Sequence, residues 1–259
     1  MAAGEGHASV DRALRVLRVL GSRGGGFTLD ELSGVTGIPK STLHRTLGAL
    51  KDGGFAAQPV PGGPYTIGVE LLAVAFGFYD QLDLRGLVHP LLVRARDRWD
   101  ETAHVAVLDG ADVVYLDKVE SRQPLKLSSA IGGRNPAHAT GLGKALLAWA
   151  YADDDALAGW LERTGQLAAR TPRTIVDGAA LARELATVRR RGYALESEES
   201  ELGVRCVAVP IFLGHATPSC ALSLAAPAQR MAAADQRAIG DALRTLVDEA
   251  LGSAHDAGS

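Results

Sequence analysis

Residues 28–55 read TLDELSGVTGIPKSTLHRTLGALKDGGF. Thr28 and Glu31 are spaced as a capping box, in which a threonine hydroxyl and a glutamate carboxylate each satisfy an amide orphaned at a helix start. The helix they open is short: it runs to about Thr36, Gly37 and Ile38 make a turn, and Pro39 suits the first position of a following helix, where its missing N–H costs nothing. At about 100° per residue, Leu43, Leu47 and Leu50 of that next helix share one side. Ser41, His44, Arg45 and Gly48 share the opposite side, with Lys40 and Thr42 on the flanks. One face packs and the other is polar, as in a helix that enters a DNA major groove behind a tight turn.

The flanking sequence completes a winged helix-turn-helix. Upstream, Ser9 can cap a helix whose Val10, Ala13, Leu14, Leu17 and Leu20 fall at helical spacing, with Arg12, Arg15 and Arg18 left to solvent and the glycines 24–26 ending it. Downstream, residues 55–58 and 65–67 read as two short strands joined by PVPGGP, a tip stiffened by prolines and turned by Gly62 and Gly63. Residues 69–82, VELLAVAFGFYDQL, are apolar nearly all round, so a helix there calls for a partner helix, and the chain is expected to form a homodimer or a tetramer built from two such dimers.

A helix over 84–99 leads into a second domain. Residues 103–108 and 113–119 flank an Asp109-Gly110 turn, a strong hairpin signal. Further strands are expected at 125–127, 193–196, 205–212 and 219–226, and further helices at 141–151, 153–164, 177–191 and 231–251. They interleave without a parallel repeat, so an α+β fold with a mostly antiparallel sheet and flanking helices is expected. The implied organisation is a DNA-binding domain over 1–68, a linker and dimerisation helix over 69–83, a ligand domain over 84–252 and a disordered tail over 253–259.

Composition sets limits on function. Residues 1–65 hold seven Lys and Arg against five Asp and Glu, while residues 66–259 hold 20 against 25, so the only basic part is the front. Two cysteines cannot build a disulfide scaffold or a zinc site of the usual pattern, which fits a reducing compartment. The first residues lack an apolar signal core, and no uninterrupted apolar run reaches the ~18 residues of a membrane span. A cytoplasmic protein with double-stranded DNA as partner and no membrane attachment is the expectation.

The polar face of the helix after the turn assigns the DNA contacts. Arg45 can pair bidentately with guanine, Ser41 and His44 can reach base edges, and Lys40 and Thr42 can hold phosphates, with Thr28, Gly62 and Gly63 as further backbone contacts. In the second domain the run NPAHATGLGK over 135–144 has the glycines and helix start of an anion site, formed by Gly141, Leu142 and Gly143. Lys144 is out of place there, because a cation in a first turn opposes the helix dipole. Ala221, Ser223 and Ala225 share one strand face, a small, polar-specked surface suited to a cavity wall, and Leu127 is a candidate apolar wall.

Together these segments resemble the isocitrate lyase regulator (IclR) family of transcription regulators. The resemblance rests on LSGVTGIPKSTLHRTLGALKDGGF and the Tyr65–Gly68 segment in the first domain, and on LDKVES, IGGRNPAHATGLGKALLA, RRRGYALESEESELGVRCVAVPIF and CALSLAAPAQRM in the second, in that order over residues 10–250. It implies a GAF-like second domain that binds a small effector, an organic or aromatic acid, facing Glu196, Cys206 and Ser223, and a regulator that represses. Two positions depart from the family pattern: Glu196 stands where Asp is expected, and Ala225 where a second Ser is common, which suits a larger or less polar effector. No cofactor is expected. An enzyme or metal sensor using the same cavity, with Cys206 and His138 as thiol and base or Cys206, Glu196 and Glu198 as metal ligands, is the alternative.

Overall fold

The computed structural model describes residues 3–82, 84–124 and 129–256, and it divides into two compact units, Met1–Arg85 and Gly86–Ser259. The first unit is helical with a small hairpin. Helices α1 (Ala3–Gly21), α2 (Leu29–Thr36) and α3 (Lys40–Asp52) pack on one another around Val16, Leu20, Leu32, Ile38, Leu43 and Leu47. The capping box forms as its spacing requires: the Glu31 amide donates to the Thr28 hydroxyl at 3.2 Å, and the Thr28 amide donates to the Glu31 carboxylate at 2.7 Å. Gly37 ends α2 in the left-handed conformation (φ 68°), a backbone shape that glycine adopts without a Cβ clash, and Pro39 is the residue just before α3 rather than its first.

The first helix differs from expectation at its start and in its buried stripe. It runs from Ala3 straight through Ser9, which therefore lies inside the helix and not at its start. Val16 and Leu20 are the fully buried residues, whereas Val10 and Leu14 are exposed. The C-terminal half of α1 lies over α2 and α3, and that contact, rather than the periodicity of the whole helix, decides which residues are covered.

Strands β1 (Ala56–Ala57) and β2 (Thr66–Ile67) pair antiparallel, and Phe27 forms an additional bridge to Tyr65. Inside the hairpin tip the Gly63 amide donates to the Val60 carbonyl at 2.9 Å and the Gln58 side chain donates to the Gly63 carbonyl, also at 2.9 Å. Helix α4 (Glu70–Leu82) follows, with Leu72, Val74 and Phe76 exposed in the single chain.

The second unit is built on one six-stranded antiparallel sheet. Helix α5 (Leu84–Trp99) leads to β3 (Thr102–Asp109) and β4 (Asp112–Val119), the hairpin that Asp109-Gly110 announced. Then come β5 (Arg134–Pro136), a 3-10 turn at Ala137–Ala139, α6 (Gly141–Ala150), α7 (Asp154–Thr164), α8 (Gly178–Arg191), β6 (Ala194–Ser197), β7 (Val204–Ile211), β8 (Cys220–Pro227) and α9 (Asp235–Asp256). The strand order is β5-β4-β3-β8-β7-β6. The expected strand over 125–127 lies outside the described residues; β5, which sequence reading missed, forms one edge of the sheet and β6 the other. The backbone of 253–256 continues α9 where a tail was expected, and 257–259 lie outside the described residues.

Register brings the ligand-domain candidates together. Glu196 pairs with Cys206, which pairs with Ala225; two residues along, Ala208 pairs with Ser223, which pairs with His104. Directly paired residues share a face, so these two rows form one surface. Helix α6 packs on β3, β4, β6, β7 and β8, and its Leu142, Ala145 and Leu146 join Ala106, Ala208 and Ala221 in the core.

Candidate functional site

Helix α3 carries the candidate DNA-reading surface. Leu43 and Leu47 are sealed in the core, and Lys40, Ser41, His44 and Arg45 are exposed, with Thr42 half-buried at the flank. Lys40 forms an exposed ion pair with Asp30 at 2.7 Å. Such a pair is worth little in water, so a phosphate can take the lysine at small expense. The Thr28 hydroxyl is committed to its cap. Gly62 (φ 74°) turns the exposed hairpin tip, and a Cβ on Gly63 would come within 3.0 Å of the Val60 carbonyl oxygen.

In the second unit a cavity of about 80 Å³ opens where the start of α6 faces the sheet. Of the residues singled out from sequence, Gly141, Leu142, Glu196, Cys206, Ser223 and Ala225 line it. Gly143 does not: its amide donates to the Thr140 hydroxyl at 3.0 Å, and it packs so tightly on the Ala137 backbone that only glycine fits. Leu127 lies outside the described residues. Sequence reading missed His104, Tyr115, Ser129, Asn135, Thr140, Ser200, Glu201 and Val204. His104 carried a signal, as a lone polar residue in the apolar run of β3. Asn135 and Thr140 stood within the quoted NPAHAT segment, but nothing in their spacing aims them inward.

The lining is polar and largely pre-arranged. His104 Nε2 hydrogen-bonds the Ser129 hydroxyl at 2.8 Å, and the Asn135 amide donates to the Tyr115 hydroxyl at 3.2 Å. Burial, aided by Lys118, pushes His104 down to about 4, so the imidazole is neutral at physiological pH. Ser223 is 1% exposed and its hydroxyl makes no hydrogen bond of ordinary geometry among the described residues, with only the Cys206 thiol, a weak partner, beside it. Gly141 and Leu142 contribute the amides of a helix start, which have no intrahelical acceptor.

Beside the cavity, Lys144 is 1% exposed and pairs with Glu199 at 2.6 Å. That contact accounts for the lysine sequence reading found out of place: it lies one turn into α6, reaching the carboxylate of the segment after β6. Glu196 Oε1 accepts from the amides of Glu199 (2.5 Å) and Ser200 (3.1 Å). Burial nevertheless pushes Glu196 up to about 7, outweighing those amides and Lys144.

The same geometry bears on the enzyme and metal alternatives. The Cys206 thiol is pushed up to about 12 by burial and by Glu196, despite the Ser223 hydroxyl beside it, so it is not a nucleophile at neutral pH. The His138 ring is committed to the Ala168 carbonyl at 3.0 Å. Glu198 is drawn off to Arg173 at 2.6 Å and takes the Gly203 amide at 3.1 Å. No helix among the described residues is long and apolar enough to cross a membrane.

Comparison with known proteins gives the same reading in both units. The profile of the IclR helix-turn-helix domain matches residues 9–59, and that of the bacterial transcriptional regulator IclR C-terminal domain matches residues 76–250. The acetate operon repressor of Salmonella typhimurium is 36% identical over 225 residues, 86% of this chain and 81% of that protein. The regulator XynR of Escherichia coli is 35% identical, over 86% of this chain and 87% of that protein. Among solved structures, the Thermotoga maritima IclR superposes with a TM-score of 0.75 at 27% identity, covering 95% of this chain and 98% of that one. An IclR homologue from Microbacterium hydrocarbonoxydans, complexed with 4-hydroxybenzoate, reaches 0.80 at 26% identity, over 95% and 99%. These relatives are regulators rather than enzymes, and the α+β architecture is theirs; the chain belongs to the IclR family of DNA-binding transcriptional regulators.

Proposed function

We propose that this regulator represses transcription as a homodimer, reading an operator with α3 of each copy, and that a small organic or aromatic acid in the α6 cavity alters its hold on DNA. In this reading Arg45, Ser41 and His44 meet base edges, while Lys40, Thr42 and the Gly62-Gly63 tip meet the phosphate backbone; Thr28, whose amide and hydroxyl both serve the capping box, is left out of the contacts. The exposed Leu72, Val74 and Phe76 of α4 are the surface a second copy would cover.

The observation that carries the effector reading is the buried, unpartnered Ser223 hydroxyl in a cavity that is also lined by Gly141 and Leu142, the first two residues of α6. A buried hydroxyl without a partner is a standing cost of roughly 1–3 kcal/mol, and a bound carboxylate relieves it while accepting from the helix amides. The complex of the Microbacterium homologue with 4-hydroxybenzoate supports an acid as occupant. The acid can act only by preferring one arrangement of the two DNA-reading heads over another.

The test is a footprint on DNA beside the protein's own gene, repeated with a panel of small aliphatic and aromatic acids including 4-hydroxybenzoate. Protection of a two-fold-related site that at least one acid weakens or strengthens is the expected result. Protection indifferent to every acid, with no acid raising the unfolding temperature, would overturn the effector reading.

A further inference from the structure

The described residues of the cavity wall offer an anionic ligand carboxyl groups and no cation. Among the described residues lining the cavity there is no lysine or arginine, whereas Glu196 and Glu201 both line it. His104 is held neutral on β3, and the Cys206 thiol on β7 and the Tyr115 hydroxyl on β4, both pushed up by burial, are neutral as well. Among the described residues, Lys144 on α6 and Lys118 on β4 are nearby cations, and each is already matched, by Glu199 at 2.6 Å and by Glu120 at 3.0 Å. An acid bound here therefore lies between the start of α6 and the buried Glu196.

Glu196 is close to where that acid would sit. Gly141, the first residue of α6, stands directly over Cys206, because a Cβ placed on it would lie 3.0 Å from Cys206 Sγ. Cys206 is the sheet partner of Glu196. An anion on the first amides of α6 is thus one strand away from the Glu196 carboxyl. Glu196 Oε1 is taken by two backbone amides, and no other hydrogen bond reaches this carboxyl among the described residues. Two neighbouring buried carboxylates do not both stay ionised.

We propose that Glu196 enters the effector complex as a neutral carboxylic acid, so that binding an anionic carboxylate in this cavity takes up a proton from solvent. The inference rests on the acid reading above and adds what makes it electrostatically possible. A proton from the buffer forms an O–H bond on the Glu196 carboxyl, which can then donate to the ligand. Burial already pushes Glu196 up to about 7, and a second carboxylate beside it raises it further. The sign follows: below about pH 7 the proton is already present and affinity is flat, whereas above it affinity falls by up to about tenfold per pH unit until the complex itself loses the proton.

The experiment is calorimetric titration of the full-length protein with benzoate, 4-hydroxybenzoate, pyruvate and other small monocarboxylates. Each is run at pH 8 in phosphate and in Tris, buffers of low and high ionisation enthalpy, and at pH 6.5, 7 and 9. The expected result is that the acids that bind do so with uptake of a substantial fraction of a proton at pH 8 and weaken from pH 7 to 9. Glu196→Gln, which keeps an acceptor for the two amides, should bind the same acids with no uptake and a pH-independent Kd. Wild-type protein that binds an acid with a flat Kd from pH 7 to 9 and no buffer-dependent heat overturns the proposal and leaves the acid reading standing. Failure of every acid to bind at pH 6.5, or preference for the matching neutral amides, overturns the acid reading and the proposal with it. The buffer comparison on the wild type decides the matter even if Glu196→Gln fails to fold.

Discussion

Gly141 and Gly143, two residues apart in the first turn of α6, have opposite tolerance for a side chain. A Cβ on Gly141 would meet Cys206 Sγ at 3.0 Å, a contact the thiol can relieve by shifting a few tenths of an ångström. A Cβ on Gly143 would fall 2.0 Å from the Ala137 carbonyl oxygen, and backbone does not move aside so readily. Gly141→Ala is therefore expected to change stability by less than about 1 kcal/mol while narrowing the cavity and weakening acid binding. Gly143→Ala should lose about 3 kcal/mol or more, as overpacking against a fixed wall does. Thermal unfolding of the two variants checks this, and equal losses would show that α6 does not start where it is placed here.

The buried pair makes a second prediction. Lys144→Met removes the partner of Glu199, which is 8% exposed and already has an unpaired Oε2 atom. Leaving a buried charge uncompensated costs about 3–5 kcal/mol, whereas replacing both members with neutral groups can be nearly harmless. Lys144→Met alone should lower the denaturation midpoint strongly, and Lys144→Met with Glu199→Gln should recover more than half of the loss. A double variant no better than the single one would mean that the lysine acts through its packing alone.

These two contrasts show what the sequence could and could not reveal. The capping box, Gly37 turn and Leu43/Leu47 stripe were legible because each is a local device whose partner lies within a few residues. The Asp109-Gly110 hairpin was legible for the same reason. Strand alternation put Ser223 and Ala225 on one face, but it could not say that His104 and Ala208 flank Ser223, since pairing across β3, β8 and β7 joins residues far apart in the chain. Lys144 looked anomalous because Glu199, its partner, is 55 residues away. In α1 the helical period was right, yet its phase was set by contact with α2 and α3, which no window of ten residues contains.

On the DNA side, Arg45 and Lys40 should separate cleanly. Both are exposed on α3, and the structure engages Lys40 with Asp30 across the turn. Arg45→Ala should cost about 1–3 kcal/mol on the specific operator and relax preference at one base position. Lys40→Ala should weaken specific and random DNA alike and reduce the salt dependence of binding by about one counterion. Binding isotherms on operator and scrambled DNA at several salt concentrations distinguish them, and parallel losses on both DNAs for Arg45→Ala would remove it from base readout.

Ser223 offers the sharpest separation of function from folding. Its hydroxyl is buried in the middle of the sheet, between Ala208 and His104, and is without a hydrogen-bond partner among the described residues. Removing an unsatisfied buried hydroxyl without opening a large void relieves a desolvation penalty, so Ser223→Ala should leave the unfolding temperature unchanged or raise it, by an amount corresponding to about 1 kcal/mol. The same change deletes the donor available to a bound acid and should weaken acid binding by about five- to tenfold, because a hydrogen bond to a charged group is worth roughly 1.5–3 kcal/mol before water recovers part of it. Ser223→Leu instead fills the space. It should abolish the influence of the acid on DNA binding while the unliganded protein still binds its operator, since the acid acts only by favouring one arrangement of the heads. Stability that rises while ligand response falls is the mark of a residue kept for binding. A Ser223→Ala protein that is less stable yet responds normally to acid would place the effector elsewhere in the domain and leave this hydroxyl a structural one.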